Sequence, residues 1–443
     1  MFQTLKNAWK TLEIRNKLLF TFLILVLYRL GASIPVPYVT GDIYQTISGT
    51  VLEYLNTFSG GALSQATLFA LGVSPYITSS IVIQLLTVAI PALQRWAQDG
   101  ENGRKKINAL TRLITLALAV ITSFGYVTLL KSSNALVFVE NGVPTWFRYF
   151  VMIACYCAGA MLVMWLAEKI NESGIGNGIS MILFANIIAG FSTQAQHLWS
   201  LVFPKTGFNW VGLIFAVGIL LVTAVFIVLI IRVTDAERRI PIQYAKRVVG
   251  RKMYGGQNTN LPLKVNMTGV MPIIFANSIV AIPGTIRGFM STENWYTKLI
   301  DGWFNYNRWP YLVVFFILLI AFAYFYIAIS FNPVEVANNI KNNGGAVPGI
   351  RSGRPTVDYI TKILYRITLV GALFVAIIAV VPMLAVVIEV AINPAAATQT
   401  GTAIFAPVAF GGSSLMIVIG VALETVRELE SQLTLRNYKG FLD

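Results

Sequence analysis

The segment that decides the fold is NTFSGGALSQATLFALGVSPYITSSIVIQLLTVAIP, residues 56–91. Its first apolar part, residues 60–71, ends at Gly72 and is shorter than the roughly 20 residues that a helix needs to cross a bilayer. A second apolar run begins behind Pro75 and continues to position 91. We therefore expect a short half-helix over 60–71 that does not cross the membrane, followed by a helix over 75–91 that does.

The composition is that of an integral membrane protein. Of the 443 residues, 56% are hydrophobic and only 12% are charged, about half the charged share of soluble domains. An enzyme is not indicated either, because the single histidine, His197, has no evident partner and the sequence contains no phosphate-binding loop or metal-binding motif. We expect no catalytic residue, no metal and no cofactor.

Ten apolar runs predict an all-α polytopic membrane protein. The amphipathic segment 1–17 precedes them and is typical of a helix on the membrane surface, and residues 427–443 form a C-terminal tail. The expected spans are 18–34, 75–91, 109–129, 146–166, 179–198, 211–231, 267–285, 311–331, 363–384 and 409–426.

Basic residues orient these spans. With an even number of spans both termini lie on one side, and the large majority of the 33 Lys and Arg residues then fall on that side. Because positively charged loops stay in the cytoplasm, we expect both termini there. Most of the net charge of +14 is explained in this way.

An internal repeat relates the second and seventh spans. Residues 72–82 read GVSPYITSSIV and residues 269–280 read GVMPIIFANSIV, so both follow G-V-x-P-x-I and close on S-I-V. The two spans are five apart, an odd number, and therefore cross the membrane in opposite senses. The pattern predicts two inverted five-helix halves, 18–198 and 199–426, around a central pore.

Inverted repeats also occur in secondary solute transporters, which are the chief alternative. Transporters usually carry ionisable groups inside their spans, whereas the spans expected here contain almost none. Arg29 is the exception, and it either snorkels outward or turns inward. The lack of an acidic pair at mid-depth weakens the transporter interpretation.

Apolar residues occupy the expected middle of the repeat. Val73 and Ile77 lie four apart and share a helix face, and Ile274 occupies the repeat position of Ile77. Such residues are either ordinary packing and lipid-facing positions or a hydrophobic constriction that closes by dewetting. The six candidates are Val73, Ile77, Ile179, Leu183, Ile274 and Ile417.

Two loops, 232–266 and 332–362, carry more basic residues than orientation requires. In the first loop Ile240, Ile242 and Tyr244 alternate ahead of the basic clusters, which predicts a protruding hairpin with a basic tip. The loops bind either anionic lipid or a large acidic or RNA-containing partner. Their candidate docking residues are Lys246, Arg247, Arg251 and Lys252 in the first loop and Arg351 and Arg354 in the second.

Five stretches, in this order along the chain, resemble the SecY family, the channel subunits of the bacterial protein translocase. The likeness extends from about residue 14 to the C-terminus. It implies a channel that carries unfolded secretory polypeptides across the cytoplasmic membrane of a bacterium and releases membrane segments sideways into lipid. The stretches are FSGGALSQATLFALGVSPYITSSIVIQLL, GIGNGIS, LPLKVNMTGVMPIIFANSI, NNGGAVPGIR and FGGSSLMIV.

The resemblance implies a role for each feature inside the membrane. The six apolar candidates match the pore ring of the family, and the second and seventh spans match its lateral gate. Gly72 with Pro75 and Gly269 with Pro272 are then expected to weaken the gate helices where a hinge is useful. The half-helix matches the plug that stoppers the closed channel, with plug positions Gly60, Gly61, Ala62, Leu63, Ser64, Leu68 and Leu71.

The resemblance also implies partners. The two basic loops match docking sites for the ribosome and for the motor ATPase SecA, which supplies the directional movement. SecE and SecG are the expected small membrane subunits, and signal sequences, unfolded preproteins and membrane lipids are the expected ligands.

Two residues depart from the family pattern. Ser352 replaces a proline behind Arg351, so we expect this loop to be less stiff. Asn186 stands where glycine is expected and places a polar side chain near the pore wall, with no role that the sequence suggests.

Overall fold

The computed structural model describes most of the chain, and most of that part is helical. It covers residues 2–39, 43–47, 51–136, 144–204, 208–244, 247–249, 252–254, 258–288, 294–304, 308–392 and 411–439. The helices in these ranges are α1 (Phe2–Lys10), α2 (Leu12–Gly31), α3 (Tyr44–Ile47), α4 (Val51–Phe58), α5 (Ser74–Ala89), α6 (Pro91–Gln98), α7 (Gly100–Ser132), α8 (Thr145–Ser173), α9 (Gly178–Val202), α10 (Trp210–Asp235), α11 (Met271–Gly288), α12 (Trp295–Trp303), α13 (Trp309–Ser330), α14 (Pro333–Asn342), α15 (Arg354–Ile392) and α16 (Gly411–Lys439).

Each expected span coincides with one of these helices, but length and composition alone identify fewer crossings. Among the described residues six helical segments are long and apolar enough to cross a membrane, or seven if α5 and α6, bent by 103°, are one span. The protein is therefore a multi-pass membrane protein, and the count of ten stays a prediction. The six segments are Gly100–Ser132, Thr145–Ser173, Gly178–Val202, Trp210–Asp235, Trp309–Asn342 and Arg354–Glu389.

One large apolar cluster joins helices from both expected halves. It contains buried side chains of α2, α5, α8 and α9 together with those of α11, α13, α15 and α16. In contrast, α10 turns apolar residues such as Val211, Leu221 and Val225 outward, each more than half exposed. Such an outer surface suits contact with lipid tails.

The half-helix expected over residues 60–71 is wrong. Residues 59–73 form consecutive turns, and the short helix lies just upstream as α4. Gly60 (φ +66°), Gly61 (φ +88°) and Ala66 (φ +49°) all have left-handed backbones. A residue with positive φ cannot continue a right-handed helix, so this part of the chain folds as consecutive turns. We call it segment 60–71.

The hairpin expected in the first basic loop is confirmed. Strands β1 (Glu237–Tyr244) and β4 (Asn258–Lys264) are antiparallel, and short strands β2 (Arg247–Val249) and β3 (Lys252–Tyr254) pair beyond them. Ile240 and Ile242 are buried, as their alternation predicts.

The sequence did not indicate that the second basic loop adds a strand to this hairpin. Strand β5 (Gly345–Ala346) pairs with the free edge of β1, in the order β4-β1-β5. Ile242 then packs with Ala337 of α14 and Ile360 of α15. The two basic loops therefore form one structure, which we call the joined sheet (β1, β4 and β5).

A candidate pore and the segment that closes it

The six candidate pore residues lie in one apolar cluster. Five of them are buried within it, and Ile179 is half-buried and packs against it. Segment 60–71 contributes to the same cluster through Ala62, Phe69 and Leu68. We call these six residues the collar, and segment 60–71 packs in the same cluster. The five buried members are Val73, Ile77, Leu183, Ile274 and Ile417.

The starts of three helices position the collar. Gly72 (φ +54°) and Gly269 (φ +61°) turn the chain just before α5 and α11 begin. Asn177 caps α9, because its side-chain oxygen accepts from the Ile179 backbone N–H at 3.0 Å. The repeat seen in the sequence therefore appears as two matching helix starts.

The prolines of the repeat do not weaken the gate helices, contrary to expectation. Pro75 and Pro272 are each the second residue of their helix, at Ser74–Ala89 and Met271–Gly288. A proline in the first turn removes an N–H that has no helical partner in any case. A hinge role for the glycine turns ahead of the two helices stays a prediction, and α5 packs directly against α11.

A cavity of about 90 Å³ lies beside the collar. Collar residues Val73, Ile77, Leu183 and Ile274 line it, and so do α7 and the end of segment 60–71. Its wall is mostly apolar, although Asn277 lines it with side-chain atoms that have no hydrogen-bond partner among the described residues.

Tyrosines on two helices hold segment 60–71 in place. The Tyr126 hydroxyl of α7 donates to the Leu63 carbonyl, and the Tyr156 hydroxyl of α8 donates to the Ala66 carbonyl at 3.3 Å. The Leu68 N–H also donates to the Ile34 carbonyl at 2.8 Å. These bonds satisfy backbone groups that a chain of turns cannot pair by itself.

Two glycines let segment 60–71 pack tightly. A Cβ atom on Gly31 would lie 2.1 Å from the Phe69 ring, and one on Gly159 would lie 2.0 Å from the Leu68 carbonyl oxygen. Phe69 also stacks on Tyr28, with ring centroids 5.4 Å apart. Neither glycine stood out in the sequence, because nothing local marks a residue that touches a segment distant in sequence.

Two polar residues contact the beginning of this segment. Arg29, which is exposed, donates from Nη1 to the Gly60 carbonyl at 3.1 Å, so it turns to the segment rather than only to the membrane surface. Asn186 is fully buried and donates from Nδ2 to the Phe58 carbonyl at 2.6 Å and to the Tyr28 hydroxyl at 2.8 Å.

The second basic loop presents Arg351 on a fixed turn. Arg351 and Arg354 are exposed, and the Thr356 hydroxyl donates to the Arg351 carbonyl at 2.8 Å. Gly349 (φ +78°) and Gly353 (φ +108°) flank the turn. The turn is thus closed by a hydrogen bond although Ser352 replaces the proline, and the lower stiffness expected of this loop stays a prediction.

The tip of the first basic loop is described only in part. Arg247 and Lys252 lie on the paired strands β2 and β3, whereas Lys246 and Arg251 lie outside the described residues. At the base of the hairpin, partial burial and then the nearby Arg427 charge lower the pKa of Lys264. At this base the positive charges are partly paired, since Arg427 contacts Asp235 and Arg239 contacts Glu237.

Within the described ranges, no group of His, Cys, Asp and Glu is arranged to hold a metal ion. The site is instead an apolar collar, a segment packed on it and a basic surface at one end.

Comparisons with known proteins agree with this arrangement. The family model of SecY matches residues 67–426. The chain is 43% identical over 457 residues to the protein translocase subunit SecY of Streptomyces coelicolor, and the match covers 100% of both chains.

Two solved structures have a similar fold. One is a SecY whose plug domain is described as stabilising the closed state of the translocation channel and maintaining a membrane seal, with a TM-score of 0.59 and 19% identity over 95% of this chain and 92% of that one. The other is Sec61 in a canine ribosome-channel complex from the endoplasmic reticulum, with a TM-score of 0.54, 17% identity and the same coverage.

Proposed function

The chain belongs to the SecY family, and we infer from this membership that it is the protein-conducting channel of a translocase. It carries unfolded secretory polypeptides across a membrane and releases membrane segments sideways into lipid. It is not an enzyme, so the energy for directional movement comes from a partner. The observation that supports this conclusion is that the six collar residues and segment 60–71 pack in one apolar cluster.

The collar explains how one channel accepts many sequences. Apolar side chains form no directional bonds to a passing chain, so no residue of that chain is held. When no polypeptide is present, the same side chains pack together and exclude water, which blocks ions by dewetting. Four of them line the cavity of about 90 Å³.

We propose that segment 60–71 is the plug of the closed channel. It packs on the collar through Phe69 and Leu68, and it is held by a few hydrogen bonds rather than by a helix of its own. Its turns are closed by bonds within the segment, such as that from the Gln65 N–H to the Gly61 carbonyl, so the segment can leave as a unit once its outer contacts break. This role is the one described for the plug domain of the related SecY structure.

We propose that α5 and α11 form the lateral gate. The two helices pack against each other, and each follows a glycine turn, at Gly72 and Gly269. Rotation about these glycines separates the helices without breaking helical hydrogen bonds. A signal sequence leaves the pore between them and enters lipid.

The joined sheet with its basic tip is our candidate for partner docking. Lys246, Arg247, Arg251, Lys252, Arg351 and Arg354 supply the positive charge. Such a surface fits ribosomal RNA and the acidic face of a motor such as SecA. The related Sec61 is described in a complex with a ribosome, which supports the first of these partners.

The remaining proposals concern the membrane. We place the chain in the cytoplasmic membrane of a bacterium with ten crossings, two inverted halves and both termini in the cytoplasm, because its basic residues then lie inside. SecE and SecG are proposed as its small membrane subunits, and lipids surround it.

Reconstitution tests the function directly. The purified chain, with SecE and SecG, is placed in lipid vesicles and supplied with SecA, ATP and a preprotein that carries a signal sequence. We expect the preprotein to become protected from added protease, and only when ATP is present. Tight uptake of a small solute without any preprotein uptake would instead support a transporter.

Deletion of residues 60–71 tests the plug. We expect the variant to export preproteins at a rate comparable with the intact chain, while ion leakage through vesicles without SecA rises several-fold, because the collar loses the segment that covers it. The measurements are protease protection and membrane conductance. Complete loss of export with a correctly inserted chain would make the segment a structural strut instead of a plug.

A further inference from the structure

We propose that Asn186 is a positioning residue that fastens the start of segment 60–71 in the closed channel and sets how readily the channel opens. The proposal rests on the proposed function, since it assumes that the segment moves when a polypeptide passes. It concerns a side chain that the family pattern does not lead one to expect, because glycine is expected at this position.

Asn186 joins three parts of the chain at one point. It lies on α9, and its Nδ2 donates to the Tyr28 hydroxyl on α2 at 2.8 Å and to the Phe58 carbonyl at the end of α4 at 2.6 Å. Phe58 is two residues ahead of Gly60, where segment 60–71 begins. The amide therefore connects α2 and α9 to the end of α4, immediately before segment 60–71 begins.

The surroundings of Gly60 are fitted to this amide. A Cβ atom on Gly60 would lie 2.9 Å from Asn186 Oδ1 and 2.7 Å from Arg29 Nη1. Arg29 already donates to the Gly60 carbonyl at 3.1 Å. Gly60 also has φ +66°, a backbone conformation that side chains disfavour. The start of the segment is thus enclosed by polar side chains from α2 and α9.

Because Asn186 is buried, its bonds to Tyr28 and Phe58 stabilise the segment only in the position that the structure shows. Asn186 is 0% exposed, and its Oδ1 has no hydrogen-bond partner among the described residues. An amide this buried is stabilised only while its donors are bonded, because an unpaired polar group away from water is costly. Displacing Phe58 breaks the bond of 2.6 Å from Asn186 Nδ2 to the Phe58 carbonyl, so this bond favours the closed arrangement.

The test is Asn186→Ala in the reconstituted complex with SecE and SecG. We expect amide hydrogen exchange of residues 58–64 to accelerate roughly tenfold without SecA, since the loss of buried hydrogen bonds shifts a local opening equilibrium by about that factor. Ion leakage should rise in the same direction. Export of a preprotein with a weakened signal sequence should also increase, because less energy is needed to displace the segment.

Two further variants keep the test decisive. Ser192→Ala, on the same helix, removes a hydroxyl that donates only to Ala189 of its own helix, and should leave all three readouts unchanged. Tyr28→Phe should raise exchange less than Asn186→Ala, and should add little in the Asn186→Ala background, because the two side chains share one bond.

The outcomes separate this proposal from the proposed function. If the unaltered complex exports a normal preprotein but Asn186→Ala and Tyr28→Phe leave exchange and leakage unchanged, Asn186 does not position the segment. If the unaltered complex exports nothing, the proposed function itself has failed. A variant that does not insert is replaced by Tyr28→Phe alone, whose unchanged exchange would also overturn the proposal.

Discussion

Arg351→Glu is expected to reduce SecA-driven export roughly 100-fold while insertion into the membrane stays normal. Arg351 is exposed on a turn whose backbone is held by Thr356, so its replacement removes no packing from the interior. It reverses a charge on the loop that follows β5 of the joined sheet, where an acidic partner is proposed to dock. Juxtaposed like charges at an interface cost several kcal/mol, which is the basis of the expected factor.

The measurement is ATP-dependent protease protection of a preprotein in vesicles, together with binding of SecA to the same vesicles. Lys10→Glu is the matched control, because it is the same charge reversal at another exposed residue, on α1. Export should persist in the control. If Arg351→Glu exports normally, the arginine has no docking role, and if both variants fail, the effect is one of net charge.

Ile274→Asn is expected to make the closed channel leak ions, with conductance at least tenfold above that of the intact chain. Ile274 is 4% exposed and lines the cavity with Ile77 and Leu183. A buried amide without partners draws water into an apolar constriction, because an unpaired polar group there costs about 1–3 kcal/mol. The water then provides a path for ions.

Single-channel conductance in a planar bilayer checks this result. Ile274→Leu is the control, since it conserves volume and apolar character and should leave the collar closed. The Asn277 side chain already lines the same cavity, so the comparison also measures how much polarity this space accepts before it conducts. A leak as large in Ile274→Leu would mean that packing alone, not polarity, keeps the collar closed.

The sequence predicts well the features that depend on periodicity. The alternation of Ile240 and Ile242 predicts β1, and the burial of both residues confirms it. Long apolar runs predict α10 to within a few residues at both ends. They predict the end of α7 equally well, but this helix begins at Gly100, nine residues before the expected start at 109. The repeat at Gly72 and Gly269 reappears as two left-handed turns ahead of two helices.

Features that depend on contacts between distant residues were not predictable. Apolar content alone indicated a helix for segment 60–71, whereas left-handed Gly60 and Ala66 made it a chain of turns. The pairing of β5 with β1 joins residues about a hundred positions apart, and nothing in Gly345–Ala346 marks a strand. Asn186 is the clearest case, because its partners lie on α2 and α4.

The joined sheet has a mechanical consequence. Gln243 pairs with Ala346 across the two strands, and Ile242 packs against Ala337 and Ile360. The two loops are therefore joined into one unit next to the start of α15. We therefore expect a displacement of the hairpin to be transmitted to α15, which packs against α13 and α16 and through them reaches the proposed pore. A motor docked on either loop would therefore move the same helix, α15.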